Sequence, residues 1–72
     1  MTAEEWIESF AAELGSAPPT ETEIGKLLKL AAVAAHSSER IAAPLACWIA
    51  GREGLDLDEA VAISERLGGE GA

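Results

Sequence analysis

The stretch Ile41 to Gly51, I-A-A-P-L-A-C-W-I-A-G, runs between Arg40 and Arg52 without one formal charge. The chain has 72 residues, thirteen acidic and five basic, for a net charge of −8. In so acidic a chain an uncharged run of this length is expected inside the protein. It is too short to span a bilayer, which takes about 20 apolar residues in a helix. It therefore reads as the buried helix of an all-α fold, a compact bundle of four short helices around a central helix near residues 41–53. Residues 1–72 make a single helical domain.

The material on either side supports helices. Thr2 with Glu5 and Thr20 with Glu23 have the spacing of capping boxes, and Asp56 with Glu59 repeats it with Asp. The first helix starts near Ala3, with Trp6, Ile7, Phe10, Ala11 and Leu14 on its apolar side and Glu4, Glu5 and Glu8 opposite. Gly15 ends it, and Pro18 and Pro19 keep the following loop out of helix. The second runs from about Glu21 to the neighbourhood of His36. Ile24, Leu27, Leu28, Leu30, Ala31, Ala34 and Ala35 give it a broad apolar arc, while Lys26, Lys29 and His36 share a narrow polar side with Val33. Val33 is thus expected to meet solvent or a partner.

Ser37, Ser38 and Glu39 break the pattern and can cap the third helix, which begins between Ser38 and Ala42 because Pro44 is tolerated only in a first turn. Leu45, Trp48 and Ile49 form one face of it. Ala43, Cys47, Ala50 and Gly51 form a strip of small side chains that admits a close neighbour. Gly54 closes this helix. The fourth runs from about Leu57 to Leu67, buries Leu57, Ala60, Val61, Ile63 and Leu67, and stops at Gly68 and Gly69. Glu70 to Ala72 reads as a frayed tail.

The composition excludes several function classes. A charge of −8 repels phosphate backbones and anionic lipid, so neither nucleic acid nor a membrane is an expected partner. Glu4 and Glu5 stand where a secretory leader carries basic residues, and a single cysteine suits a reducing compartment, so the cytoplasm is the expected location. One His and one Cys cannot close a four-ligand metal site, and no cofactor motif is present. No nucleophile has an adjacent base, so the chain is not expected to be an enzyme. Cys47, between Ala46 and Trp48, reads as a small buried hydrophobe.

Two places could bind something. His36, Ser37, Ser38 and Arg40 could hold a phosphate or carboxylate if the helix continued and set His36 and Arg40 one turn apart. The plainer reading has His36 and Arg40 bonding the last carbonyls of helix two or pairing with a carboxylate of helix one. Trp48 with Arg52 one turn later could form a surface cation–π pair or anchor a partner, and Val33, Trp48 and Arg52 are the candidate interface residues. The plainer reading here is a core Trp48 with Arg52 running past it.

The segments E-E-W-I-E-S-F-A-A-E-L-G (Glu4 to Gly15) and A-A-H-S-S-E-R-I-A-A-P-L (Ala34 to Leu45) resemble a family of small bacterial helical domains of unknown function. The resemblance covers most of the chain, although its motifs are short and Ala-rich. The chain departs from it at Ile41, where the family often has proline, which blurs the start of helix three. Members are sometimes joined to, or encoded near, proteins of molybdopterin guanine dinucleotide biosynthesis and molybdenum-dependent formate dehydrogenase. The resemblance implies a context of molybdenum-cofactor proteins and assigns no reaction. The expectation is a non-enzymatic interaction module or small accessory subunit whose partner is another protein or a second copy of itself. The alternative is a small-anion or pterin-phosphate binding domain that uses the junction before helix three.

Overall fold

The computed structural model describes residues 1–69, and the tail Glu70 to Ala72 lies outside the described residues. Local chemistry accounts for every helix start but one. The Thr2 hydroxyl accepts the Glu5 amide at 3.1 Å while the Glu5 carboxylate accepts the Thr2 amide at 2.8 Å, which starts α1 (Ala3–Glu13). Thr20 and Glu23 make the same reciprocal pair at the same distances and start α2 (Glu21–Ser37). At α4 (Leu57–Ser64) only half of the expected box forms, with the Asp56 carboxylate accepting the Glu59 amide at 3.1 Å. The exception is α3 (Ala42–Glu53), which no side chain caps. Ser37, Ser38 and Glu39 do not serve there as expected. Backbone turns do so instead, with the Ala42 and Ala43 amides donating to the Glu39 and Arg40 carbonyls. Pro44 is the third residue of α3, in the turn where its missing amide leaves nothing unbonded.

Of the predicted glycine stops, Gly15 and Gly54 are left-handed. Gly15 has φ 69°, and the Ser16 amide donates back to the Ala11 carbonyl at 2.9 Å. Gly54 has φ 65°, and the Leu55 amide donates to Ala50 at 3.0 Å, a Schellman closure that folds Leu55 onto the core. The fourth helix departs from expectation in kind: its α-helical part ends at Ser64 and a π-helical turn, Glu65–Gly69, carries the chain to the glycines expected to stop it, leaving Leu67, expected to be buried, 83% exposed.

The all-α fold is as read, but its centre lies one helix earlier. α2 packs against α3, α4 and the π turn, whereas α3 has α2 as its one substantial neighbour. Helix length explains this, because the 17 residues of α2 offer the broad apolar arc that two shorter helices can share. Leu30 of α2, Ala50 of α3 and Ala60 of α4 are the buried contact, 3–5% exposed, with Ala46, Cys47, Leu55 and Val61 packed around them. Of the strip of small side chains on α3, Cys47 and Ala50 do meet a close neighbour, α2, whereas Gly51 faces open space.

Close approach through alanines has a geometric consequence: the large side chains of α3 point away. Ile41, Leu45, Trp48 and Ile49 are exposed, which overturns the expectation that Ile41 to Gly51 lies inside. Trp48 is not a core aromatic. Leu28 is likewise exposed, outside the used part of the α2 arc. α1 has the amphipathic stripe its sequence predicts, yet it packs substantially against no other helix, and of the stripe only Ala11 is buried. Two exposed ion pairs, Lys26–Asp58 at 3.0 Å and Lys29–Glu65 at 3.5 Å, link α2 to α4 and the π turn. Pairs this exposed add little stability.

Candidate functional site

With α3 and α4 both laid on α2 and barely touching each other, a groove opens between them. It encloses about 460 Å³ and runs along the C-terminal half of α2. Leu30 and Val33 floor it, Ala46 and Ile49 form the α3 wall, and Ile63 of α4 with Leu67 of the π turn form the opposite wall. Val33 therefore lines an apolar cleft and does not stand on the polar side of α2. Three serines border the groove, but two are already engaged: the Ser38 hydroxyl donates to Ala34 O and the Ser64 hydroxyl to Val61 O, each at 2.7 Å. A pocket for a small polar molecule needs a few convergent polar groups among its apolar walls. This groove offers apolar surface almost alone.

Two further apolar surfaces face outward. On α1, Trp6, Ile7, Phe10 and Leu14 form a stripe in which the Trp6 and Phe10 rings stack, centroids 5.3 Å apart and planes 12° from parallel. On α3, Ile41, Leu45 and Trp48 form a second stripe that reaches the groove through Ile49. The chain has three aromatic residues, and Trp6, Phe10 and Trp48 are 53%, 52% and 62% exposed.

The polar junction is less organised than its sequence suggests. His36 and Ser37 end α2, and Ser38 leaves helical geometry at φ −143°, ψ −100°, so no helix continues to bring Arg40 one turn above His36. All four residues are exposed, and no hydrogen bond or ion pair joins them to one another among the described residues. The plainer reading also fails in detail. Neither His36 nor Arg40 caps α2; the Ser38 hydroxyl does so at Ala34 O, and no helix-one carboxylate approaches.

Arg52 sits 4.6 Å from the Trp48 ring centroid, the surface cation–π arrangement, and its Nε also lies 3.2 Å from the Glu53 carboxylate. Cys47 is half-buried in the α2–α3 contact, its thiol 3.8 Å from Leu27 O, and burial pushes its pKa up. That shift keeps it a protonated packing group and not a nucleophile. Among the described residues no three His, Cys, Asp or Glu side chains gather as a metal site, and no helix is long and apolar enough to cross a membrane.

The sequence reading missed the groove and the outward turn of the α1 stripe. The signals were present in the small-residue strip of α3, which decides which side faces α2, and in Pro18–Pro19, which stiffens the loop that would have to fold α1 back. Comparison with curated proteins and with solved structures finds no match. A family model does match, over residues 1–67, nearly the whole chain: the protein belongs to the family described as a domain of unknown function, DUF6457.

Proposed function

We propose that this chain is a non-enzymatic interaction module, a small accessory domain or subunit that works by binding protein. The observation that carries the reading is the exposure of all three aromatic side chains, set in two apolar stripes, of which the α3 stripe adjoins an apolar groove. Aromatic side chains are concentrated at protein interfaces, where a large apolar area is buried at small entropic cost. Solvent-facing stripes of this extent on so small a chain mark a surface that functions when covered. The charge of −8 supports a protein partner over nucleic acid or anionic membrane. The cytoplasm is the compartment that suits its unpaired, half-buried thiol.

A molybdenum-cofactor protein is the partner class to test first, on the strength of the resemblance in Glu4 to Gly15 and Ala34 to Leu45. The test is capture from the native cytoplasm by the wild-type chain, by Trp6→Glu and by Trp48→Glu, with light scattering to report mass. A partner held by the wild type and lost by either variant supports the reading. A strictly monomeric chain that retains nothing overturns it. The anion-binding alternative draws on the sequence neighbourhood of His36, Ser37, Ser38 and Arg40, four exposed residues of which Ser38 already spends its hydroxyl on Ala34 O.

A further inference from the structure

We infer that the groove is filled by α1 of a second copy of this chain, in a two-fold dimer whose subunits exchange their first helices. The inference rests on the interaction reading above and names its partner. Four features of the structure lead to it.

The first is complementarity of form. α1 is 11 residues long, about 16 Å at 1.5 Å per residue, and presents Trp6, Ile7, Phe10 and Leu14 along one side. The groove is apolar along its floor and both walls, and its serine hydroxyls are largely turned to their own backbone. An amphipathic helix laid in an apolar groove is a recurrent recognition mode.

The second is the connection between α1 and α2. Gly15 turns the chain at φ 69°, and Pro18 and Pro19 then fix their own φ and hold the residues before them extended. So short and stiff a segment resists closing α1 onto its own α2, and stiff hinges of this kind favour exchange between copies. The third feature is polarity. α1 leaves from the N-terminal end of α2, whereas the groove opens along Leu30 to Ser38 at the other end. A two-fold axis that sets two α2 helices antiparallel carries each arm to the open groove of its mate, and the same axis closes the assembly at two.

The fourth is area. The chain exposes 5414 Å², about 1,200 Å² more than the ~4,200 Å² expected of a compact monomer of 7.4 kDa. Covering that excess on two copies removes about 2,400 Å² in total, within the roughly 2,000–5,000 Å² of obligate homodimers. Charge agrees locally. α1 carries Glu4 and Glu8, Arg66 adjoins Leu67 of the groove, and Arg40 lies two residues from both Ser38 and Ala42 of its rim; none of the four has an ion-pair partner among the described residues. Their pairing across the interface offsets part of the repulsion between two acidic chains, which salt screens beyond about 8 Å.

Light scattering after size exclusion tests the inference, with circular dichroism as the check on folding. The wild-type chain is expected at twice its 7.4 kDa mass, and Trp6→Glu/Phe10→Glu at the monomer mass with α2 to α4 still helical. Cross-linking tests the exchange itself. In a Cys47→Ala background, chains bearing Phe10→Cys are mixed with differently tagged chains bearing Ile63→Cys and oxidised. A disulfide between the two tags supports exchange; a disulfide confined to single chains that carry both substitutions overturns it. A dimer untouched by Trp6→Glu/Phe10→Glu but dissociated by Trp48→Glu also overturns it, by placing the interface on α3. A monomeric wild type whose arm variant loses a captured partner overturns exchange and leaves the interaction reading standing. A monomer that captures nothing overturns both.

Discussion

Arg52 lies over the face of Trp48, 4.6 Å from the ring centroid and one turn further along α3, with both side chains in solvent. An exposed cation–π contact contributes about 0.5–1 kcal/mol. Arg52→Ala is therefore expected to lower stability by no more than about 1 kcal/mol in urea titration. Trp48→Ala should be similarly mild, which a core tryptophan, worth about 3–5 kcal/mol on truncation, would not be.

Leu30 is the opposite case. It is the one large side chain in the buried contact and touches both α3 and α4 elements of the core. Leu30→Ala is expected to cost about 2–5 kcal/mol, comparable with the lower end of what small domains possess in total. Far-ultraviolet circular dichroism against urea should show a large fall in midpoint or no folded baseline.

The two threonine caps make the same bonds and are expected to give different results. Thr20→Ala removes the cap of the central helix and should lower global stability by about 1 kcal/mol. Thr2→Ala frays α1, which packs substantially against no other helix among the described residues, so in dilute monomer the main unfolding transition should not move. Amide exchange resolved by residue separates local fraying from global loss.

These boundaries were legible in the sequence because they are local chemistry: a Thr three residues before a Glu, a Gly able to turn left-handed, a Pro with no amide to donate. Burial was not legible in the same way. The stripe Trp6, Ile7, Phe10, Leu14 says that a face seeks apolar cover and is silent on whether the cover belongs to the same chain. α3 is uncharged all round from Ala42 to Gly51, so only the close approach of α2 to Ala46, Cys47 and Ala50 decides that Leu45 and Trp48 face out. His36 and Arg40 depended on a helix that Ser38 ends.

Glycine substitutions should divide by sign. Gly54 holds φ 65°, so Gly54→Ala is expected to cost about 1–2 kcal/mol. Gly25 and Gly51 lie within helices and an added methyl meets open space. Ala at either should stabilise by up to about 1 kcal/mol, read as a rise in thermal midpoint.

Burial raises the Cys47 pKa, so the folded thiol loses its proton later than the unfolded one. Stability from this group is complete below the thiol's unfolded pKa and is lost as pH rises through the folded one. Alkylation should be slower for the native chain than for the urea-unfolded chain at equal pH. Cys47→Ala should flatten the alkaline decline in stability.

No side chain among the described residues is sealed fully from water, and the one cluster of buried residues is two alanines and a leucine. A protein built this way has little with which to resist opening while it is alone, and opened chains are what cellular proteases remove. Its abundance should then follow that of whatever covers it, so that surplus copies are cleared and stoichiometry is kept by turnover and not by synthesis.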